Sequence, residues 1–389
     1  MRIGIDASRA FTDQPTGTER YSYELITRIL RLKEARKQEW ILYIRPNLKF
    51  EIRNLKLNLN CKFQIVNFPF LWTQVGLASR TWVDRLDVLW VPAHTLPLLR
   101  RGLKTVVTIH GIEYEWLPAY ENVLQRWYLP LSTQYAVRSA DKIIAVSEFT
   151  KKQLIERLGG DGGKIKVVYE GYTAQSTNKS QIPIFKKYQI KPHQYLLFIG
   201  TIQPRKNLVR LIEAFADLRL GTQNTPLGFP PNLGGNNMRG KYSCLKLVIA
   251  GKPGWSYDEI LAAPKKFGVE ESVIFTGYVN DAERSILLQN ALVYVQPSIT
   301  EGFGLPVLEA MAAGVPVVSS TGGALAEVVG KAGKLFSPNN INEITKCLQQ
   351  TLEDGGLRQE LVRRGRQRAA NFSWDTAAIE TYKILTTWS

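Results

Sequence analysis

The stretch of sequence that decides the fold is Glu301-Gly-Phe-Gly-Leu-Pro-Val-Leu-Glu309. Gly302 and Gly304 allow a tight turn, and Pro306 suits the first turn of a helix. A helix N-terminus offers free N–H groups and a partial positive charge. The pattern therefore predicts a loop that carries Glu301 and a helix that carries Glu309. Such a site suits a ligand that combines hydroxyls with phosphate, as a nucleotide sugar does.

Two other interpretations of this glutamate pair are open. The plainer one is a helix N-terminus with one exposed glutamate and one glutamate near the helix dipole. The other is the acid and base pair of a glycosidase, which requires two carboxylates that face each other across the scissile bond. A single loop and helix rarely supply that second arrangement.

Outward from this stretch, short β-branched runs alternate with amphipathic helical stretches, which predicts an α/β protein with parallel sheets covered by helices. The predicted strands of the first half are 3–5, 40–44, 63–68, 87–91, 105–109, 142–146 and 166–169. Those of the second half are 195–199, 246–250, 272–275, 292–296 and 315–319. A polar stretch rich in Ser, Thr, Gln and Lys separates the two series and is predicted to be a linker.

The length of 389 residues fits about two to three domains. The predicted organisation is a Rossmann-like domain over 1–170, a linker over 171–192 and a second Rossmann-like domain over 193–373. We expect the two domains to face each other across a cleft, with ligands at the carboxyl ends of the strands. Residues 221–241 are heavy in Gly, Pro and Asn, and they are predicted to form an inserted surface loop without a catalytic role.

The segment from Glu301 to Glu309 resembles the signature of the family-4 retaining glycosyltransferases, which have the GT-B fold. Further segments are similar to motifs of the same family, in the same order: Gly17-Thr-Glu-Arg-Tyr21, Ala145-Val-Ser-Glu-Phe-Thr150, Gly200-Thr-Ile-Gln-Pro-Arg-Lys-Asn207, Phe275-Thr-Gly-Tyr-Val279 and Ala310-Met-Ala-Ala-Gly-Val-Pro-Val317. The resemblance runs along nearly the whole chain and implies a GT-B fold of two Rossmann-like domains. It also implies that a C-terminal helix over 374–389 crosses back onto the first domain.

Arg205 and Lys206 follow the predicted strand 195–199 and precede a helix. A planar guanidinium and a compact ammonium at such a place suit phosphate oxygens, although a solvated basic pair in a loop is the alternative. Arg210 could share the task. Gly17 would let the N-terminal loop approach the phosphates, unless it is an ordinary loop glycine. We therefore expect the two cations to stabilise a nucleoside diphosphate leaving group.

The resemblance also implies roles for the residues of the opening stretch. Glu309 would hydrogen-bond the ribose hydroxyls of the nucleotide, and Glu301 would lie near the donor sugar. The backbone N–H groups of Phe303, Gly304 and Leu305 would reach the sugar hydroxyls. Neither glutamate is expected to act as a nucleophile, because retention in this fold is usually ascribed to attack on the same face. The departing phosphate then takes the proton of the acceptor.

Two histidines follow predicted strands. His110 comes directly after 105–109, and the resemblance implies that it contacts the donor sugar. Many family members place Asp next, whereas this chain has Gly111, so some local hydrogen bonding is either lost or supplied by other residues. His94 follows 87–91 and would face the cleft, as a candidate on the acceptor side. A structural role at a strand end is the alternative for both histidines.

Two further turns are candidates for substrate contacts. Ser147 ends the predicted strand 142–146 and suits the N-cap of a helix that begins near Phe149. Capping is the favoured interpretation, with a direct substrate contact as the alternative. Thr321-Gly-Gly323, just before a predicted helix, is a second candidate phosphate turn.

The charge balance points to an anionic partner. Fifty Lys and Arg residues against 34 Asp and Glu residues give a formal net charge of +16. An anionic membrane surface or a lipid diphosphate acceptor is favoured over a merely solvated surface. Nucleic acid is disfavoured, because no module that binds it is recognisable.

The sequence also predicts the compartment. Three widely spaced cysteines indicate a reducing environment and no zinc site. We expect no signal peptide, and no apolar run reaches the roughly 18 residues that span a membrane. The expected location is the cytoplasm, with peripheral binding at the inner face of the plasma membrane.

The expected activity is that of a retaining, metal-independent hexosyltransferase. The sequence lacks an Asp-x-Asp motif, so neither a metal nor another cofactor is expected. Residues 250–255 and 257–259 resemble bacterial mannosyltransferases of O-antigen and exopolysaccharide pathways, which favours GDP-mannose as donor and a glycan or lipid-linked acceptor. The alternatives are a synthase of the sucrose or trehalose type with a soluble acceptor, a nucleotide-sugar epimerase of the same fold, and a non-catalytic binding subunit.

Overall fold

The computed structural model describes residues 1–12, 15–46, 60–68, 71–112, 123–173, 182–220 and 241–388. The chain divides into two compact units. Unit 1 comprises Met1–Gly171 and Phe372–Ser389, and unit 2 comprises Tyr172–Asn371. Of the inserted loop predicted over 221–241, all but Lys241 lies outside the described residues.

Unit 1 is built on a parallel sheet that has seven strands within the described residues. The strands are β1 (Arg2–Asp6), β2 (Glu39–Ile44), β3 (Cys61–Ile65), β4 (Val88–Val91), β5 (Lys104–Ile109), β6 (Lys142–Ala145) and β7 (Ile165–Val167). Their order across the sheet is β3-β2-β1-β4-β5-β6-β7.

The helices of unit 1 connect these strands, and helices are numbered along the whole chain. They are α1 (Gly17–Ile29), α2 (Ala78–Val83), α3 (Val123–Ser139), α4 (Glu148–Leu158) and the C-terminal α13 (Trp374–Thr386). A π-helical segment, Trp72–Leu77, leads directly into α2.

Unit 2 is built on a second parallel sheet, with six strands in the part of the chain that the structure describes. The strands are β8 (Tyr195–Ile199), β9 (Lys246–Ala250), β10 (Val273–Gly277), β11 (Val293–Gln296), β12 (Val317–Ser320) and β13 (Lys334–Phe336). Their order is β10-β9-β8-β11-β12-β13.

The helices of unit 2 cover this sheet and lead from one strand to the next. They are α5 (Ile182–Lys187), α6 (Leu208–Leu220), α7 (Asp258–Lys266), α8 (Asp281–Gln289), α9 (Leu305–Ala312), α10 (Leu325–Val329), α11 (Ile341–Glu353) and α12 (Gly355–Ala369). Short 3₁₀ turns lie at Glu34–Lys37, Pro204–Lys206, Glu270–Ser272 and Gly330–Ala332.

The strands predicted from sequence are present, with bounds that shift by a few residues. β8 has the predicted bounds because all five of its residues are buried, as expected for the centre of a parallel sheet covered on both faces. β13 was missed, since it is only three residues long and begins with a lysine. Helix α5 forms within the predicted linker 171–192.

Both sheets have a strand order that reverses at one point. The chain places β2 and β3 on one side of β1 and then crosses to β4 on the other side. Unit 2 repeats this order, with the reversal between β8 and β11. In open α/β sheets, ligands bind outside the carboxyl ends of the strands at such a reversal. Each unit therefore has one edge where functional residues are expected.

The C-terminal helix α13 belongs to unit 1 and packs against α1. The ring centroid of Trp374 lies 6.0 Å from that of Tyr21. The hydroxyl of Tyr382 donates to the carbonyl oxygen of Glu34 at 2.9 Å, and Arg28 forms an ion pair with Asp375 at 2.9 Å. Apolar packing and polar contacts together fix the last helix on this unit.

Candidate functional site

Arg205 and Lys206 lie where unit 2 reverses its strand order. They form the turn Pro204–Lys206 just beyond the carboxyl end of β8. Asn207 ends this turn in the left-handed conformation, with φ 59°, and its side-chain amide donates to the carbonyl oxygens of Pro297 at 3.0 Å and Pro338 at 2.7 Å. The turn is thereby tied to the segments that follow β11 and β13.

Glu301 meets both cations from the segment that follows β11. The guanidinium Nη1 of Arg205 lies 3.1 Å from Oε2 of Glu301, and the ammonium of Lys206 pairs with Oε1. Ser298 Oγ donates to the same Oε1 at 2.7 Å, and Gln296 Nε2 donates to it at 2.9 Å. The carboxylate therefore accepts hydrogen bonds from four side chains, two of them cationic.

This environment keeps Glu301 ionised. Burial by itself would raise the pKa of Glu301, but the positive charges of Lys206 and Arg205 lower it. Hydrogen bonds from Lys206 and Ser298 lower the pKa further, so that it lies well below its usual range. An ionised carboxylate accepts hydrogen bonds and cannot donate one, so this group can receive bonds from ligand hydroxyls.

A second layer of polar side chains holds the network in place. The buried hydroxyl of Tyr294 donates to Oε1 of Gln296 at 2.6 Å. Ser320 Oγ donates to the carbonyl oxygen of Ser298 at 2.5 Å. Tyr294 and Gln296 belong to β11 and Ser320 ends β12, and none of them was predicted as a site residue. The available signal was Gln296 at the end of an otherwise apolar strand.

The turn Thr321-Gly-Gly323 packs directly against the backbone of Glu301. The backbone N–H of Ala324 donates to the carbonyl oxygen of Glu301 at 2.8 Å. Gly323 has φ +66°, and a Cβ atom there would lie 2.3 Å from that same carbonyl oxygen. The glycine is therefore required by backbone packing, and its predicted contact with phosphate stays a prediction.

The predicted loop and helix of the opening stretch are present. Gly304 has φ 106° and precedes α9, and Pro306 lies in the first turn of that helix. Phe303 and Leu305 are buried beside it. Glu309 lies one turn into α9, where Arg284 of α8 binds its Oε1 at 2.7 Å. Arg284 was not predicted, because nothing in the local pattern relates it to a glutamate 25 positions away.

His110 lies at the corresponding edge of unit 1, beyond β5. Its Nε2 lies 2.9 Å from the carbonyl oxygen of Pro92, and its Nδ1 lies 3.5 Å from the carboxylate of buried Glu170. Because a carbonyl oxygen only accepts, Nε2 carries a proton. Tyr21 packs its ring edge-to-face against the imidazole, with centroids 4.6 Å apart. Glu170 was not predicted as a partner for this histidine.

His94 lies beside His110, with ring centroids 5.7 Å apart. Its Nδ1 is enclosed and has no hydrogen-bond partner among the residues that the structure describes. Burial lowers the pKa of His94 to about 3, and the electrostatic interactions with His110 and Arg9 act in the same direction. His94 is therefore neutral at physiological pH. The structure thus brings both predicted histidines together in one cluster.

Models of two protein families match the chain, one in each half. The model described as Glycosyltransferase Family 4 matches residues 15–175, and the model described as Glycosyl transferases group 1 matches residues 180–368. The O-antigen chain mannosyltransferase B of Escherichia coli is 32% identical over 72% of this chain and 71% of that protein. The chain belongs to the family-4 glycosyltransferases. It is a glycosyltransferase with the GT-B fold.

Solved structures with the same fold cover almost all of this glycosyltransferase. Sucrose-phosphate synthase from Thermosynechococcus elongatus has a TM-score of 0.74 and 16% identity, and the match covers 98% of this chain and 97% of the other. The Anabaena protein HepE in complex with UDP and glucose has a TM-score of 0.70 and 17% identity, and the match covers 100% and 99% of the two chains.

Two smaller predictions concern the starts of helices in unit 1. Ser147 caps α4, since its hydroxyl oxygen accepts from the N–H of Thr150 at 3.0 Å, which confirms the capping interpretation. Gly17 opens α1 instead of lying in a loop, and Thr16 and Glu19 form a capping box there. A Cβ atom on Gly17 would meet nothing within 4 Å among the described residues. Its predicted approach to phosphate stays a prediction.

None of the described helices of this glycosyltransferase has the length and apolar character needed to cross a membrane.

Proposed function

We propose that this glycosyltransferase moves a hexose, with mannose favoured, from a nucleotide sugar to a glycan or lipid-linked acceptor in the synthesis of cell-surface polysaccharide. We propose further that it retains the anomeric configuration and needs no metal. The observation that carries the proposal is the convergence of Arg205, Lys206 and Glu301 at the strand reversal of unit 2. Two fixed cations at such an edge suit a diphosphate.

The proposed role of the cations is to stabilise the leaving group. As the bond between sugar and diphosphate breaks, negative charge develops on the phosphate oxygens. Arg205 and Lys206 are already held by Glu301 and by their own turn, so little reorganisation is needed when that charge appears. The departing phosphate would then take the proton of the acceptor hydroxyl.

The proposed role of Glu301 is to bind hydroxyls of the donor sugar. Its lowered pKa makes it an acceptor at neutral pH and a poor general acid. Its four side-chain donors fix the orientation of the carboxylate, which suits positioning more than nucleophilic attack. The first turn of α9, with Phe303, Gly304 and Leu305, would present backbone N–H groups to the same sugar.

The proposed role of Glu309 is to bind the ribose of the nucleotide. Arg284 holds one carboxylate oxygen of Glu309 at 2.7 Å and thus orients the group. Glu301 would then contact the sugar of the donor, and Glu309 would contact its nucleoside.

The proposed roles in unit 1 are a donor contact for His110 and Gly17 and an acceptor contact for His94. Both ring nitrogens of His110 already face protein groups, so a contact with the donor sugar requires the ring to exchange one of these partners. Neutral His94 can accept a hydrogen bond from an acceptor hydroxyl.

Support for the donor and the acceptor comes from the relatives. The similarity to an O-antigen chain mannosyltransferase favours mannose, and hence GDP-mannose, together with a polysaccharide acceptor. The fold shared with a protein that was crystallised with UDP favours a nucleoside diphosphate as the activating group. We also propose a cytoplasmic enzyme that binds peripherally to an anionic membrane, on the basis of the +16 charge.

The test begins with calorimetric titration of UDP and GDP into the wild-type protein and two variants. Arg205→Ala and Lys206→Ala should each weaken binding of the preferred nucleotide at least about tenfold, the worth of a charge-assisted contact. Arg363→Ala, an exposed arginine of α12, is the matched control and should bind like the wild type. Equal affinities in all four proteins would refute the phosphate assignment.

Three further measurements sharpen the proposal. Glu309→Ala should weaken binding of the free nucleotide more than it changes the preference among donor sugars. A thermal-shift panel with UDP, GDP and ADP sugars should give its largest stabilisation with GDP-mannose. Incubation with the preferred donor alone distinguishes an epimerase, which would release an isomerised sugar nucleotide without any acceptor.

A further inference from the structure

One side of unit 1 exposes a group of large apolar side chains along helix α3. We call this group the α3 face and define it as Val75, Leu98, Leu99, Trp127, Tyr128 and Leu131. Leu99 is 77% exposed, Trp127 69% and Leu131 60%. Large apolar side chains at such exposures form a surface that usually marks an interaction site.

Hydrogen bonds show that the three segments of the α3 face lie together. Gln74, next to Val75, donates to the carbonyl oxygen of Leu96 at 3.1 Å and to the hydroxyl of Tyr128 at 3.1 Å. Its side-chain oxygen accepts from the N–H of Leu98 at 2.8 Å. Gln74 therefore joins the π-helical segment, the loop after β4 and helix α3.

The exposure is specific to unit 1. Among the described residues of unit 2, no large apolar side chain is more exposed than Leu261, at 43%. A general tendency of the chain to expose apolar groups would have affected both units. Apolar exposure is therefore concentrated in unit 1, where the α3 face contributes six of the fifteen exposed large apolar side chains of the described residues.

The charged residues of the three described segments that form the α3 face are positive. Segments 71–77, 95–102 and 127–139 contain no Asp or Glu, and their charged residues are Arg100, Arg101 and Arg138. Arg100 donates to the hydroxyl of Tyr135 at 2.7 Å and to the carbonyl oxygen of Ser139 at 3.1 Å, which places its guanidinium beside α3. Arg101 and Arg138 are exposed.

We infer that the α3 face binds the surface of an anionic lipid bilayer. Tryptophan and tyrosine rings with leucines would enter the boundary between headgroups and acyl chains, and the arginines would contact acidic headgroups. This combination of apolar and cationic groups fits a membrane better than it fits a second copy of this chain, which has the same positive charge. The inference names the residues that would carry out the membrane binding in the proposed function. It rests on that proposed function for its biological setting.

The test measures sedimentation of the full chain with lipid vesicles. Vesicles of phosphatidylethanolamine with phosphatidylglycerol should bind the wild-type protein, and vesicles of phosphatidylcholine alone should bind it much less. Leu99→Ser combined with Trp127→Ser should weaken binding at least about tenfold, from the apolar area removed. Arg101→Glu combined with Arg138→Glu should also weaken it about tenfold or more. Because apolar burial is not screened, part of the wild-type binding should survive high salt.

Matched controls come from helix α7 of unit 2. Leu261→Ser and Lys265→Glu change an exposed leucine and an exposed lysine, and both should leave vesicle binding unchanged. Binding of nucleoside diphosphate, measured in parallel, should be the same in all variants and shows that they fold. A wild-type protein that binds the nucleotide but not the vesicles overturns the membrane inference alone and leaves the proposed transferase activity standing.

Two other outcomes would also overturn the inference. If Leu99→Ser with Trp127→Ser binds vesicles like the wild type, the α3 face does not contact lipid. If sedimentation velocity without lipid shows a wild-type dimer that the same double variant converts to a monomer, the face is an interface between copies. Vesicle binding that requires both the apolar and the cationic residues supports the inference.

Discussion

The two sheets of this glycosyltransferase have the same strand order, yet the edges at which they reverse differ in chemistry. In unit 2 the edge contains two cations that share the buried carboxylate of Glu301. In unit 1 it contains two neighbouring imidazoles, of which His94 is neutral, and the edge-on ring of Tyr21. The shared topology therefore determines where a site forms, whereas the loops that follow the strands determine the charge of that site.

The difference fits a division of labour between the units. An edge with two cations suits the diphosphate of a donor, and an edge lined by rings suits sugar hydroxyls and apolar sugar faces. The units also differ on their outer surfaces, since fifteen of the eighteen exposed large apolar side chains of the described residues belong to unit 1. Four comparisons of variants test this contrast.

The largest effect is expected for Glu301→Gln. Removal of the carboxylate breaks a buried ion pair with Arg205 and Lys206, which should lower the free energy of unfolding by about 3–5 kcal/mol. Urea denaturation at neutral pH measures the change. Saturating nucleoside diphosphate should recover part of the loss, because it supplies negative charge to the same cations.

Glu360→Gln is the control for this variant. Glu360 also binds two cations, Arg363 and Arg364, each at 2.7 Å, but all three groups are on the surface of α12. Exposed ion pairs contribute little, so its unfolding curve should match that of the wild type. Equal losses in the two glutamine variants would contradict the view that the site of unit 2 depends on buried charge.

The next effect is expected for Gly323→Ala in unit 2, compared with Gly159→Ala in unit 1. Both glycines have φ +66°, but a Cβ atom at position 159 meets nothing within 4 Å among the described residues. Gly159→Ala should therefore cost only the left-handed backbone penalty of about 1–2 kcal/mol. Gly323→Ala should cost clearly more, because its Cβ would lie 2.3 Å from the carbonyl oxygen of Glu301.

The nucleotide affinity of these two alanine variants gives a second readout. Displacement of the Glu301 backbone should weaken nucleotide binding in Gly323→Ala, whereas Gly159→Ala should bind like the wild type. Similar unfolding curves and similar affinities for the two variants would show that this turn does not hold the site.

A smaller effect is expected for His94→Gln, and it depends on pH. Below about pH 6.5 the unfolded chain takes up a proton at His94, whereas the folded protein does not, because burial lowers the folded pKa to about 3. Wild-type stability should therefore fall as the pH drops below about 6.5. Glutamine does not titrate, so His94→Gln should lose less stability between pH 7 and pH 5.

Glu301 in unit 2 affects the stability of the protein in a lower pH range than His94 does. The folded pKa of Glu301 lies below its unfolded value of about 4.3, so its contribution is complete above that value and is lost as the pH falls further. Urea midpoints at a series of pH values separate the two ranges. Superimposable pH profiles for the wild type and His94→Gln would show that His94 titrates normally.

The smallest effect is expected for Ser147→Ala, compared with Asn340→Ala. Each side chain caps one helix, α4 in unit 1 and α11 in unit 2. Each substitution should cost about 1 kcal/mol of stability. Neither should change KM for donor or acceptor. A raised KM in Ser147→Ala alone would show that this serine contacts substrate as well as capping its helix.

The side-chain partners of the candidate residues could not be predicted from the sequence. Arg205 and Lys206 were predicted as phosphate ligands from a strand, a turn and a helix that are adjacent in sequence. Their partner Glu301 lies 96 and 95 positions away, and the pairing was not predicted. The pairs Arg284 with Glu309 and His110 with Glu170 were missed for the same reason. Each joins elements that only the folded sheet brings side by side.

The sequence by itself determined the local elements of this glycosyltransferase. Buried β-branched runs, helix caps and the glycines around Glu301 act over a few residues, so their pattern was enough to predict β8, α9 and the family. Only the tertiary structure decided which charges neutralise each other, which histidine is neutral and which apolar side chains of α3 face solvent. Those properties depend on burial and on distances of a few ångströms between residues far apart in the chain.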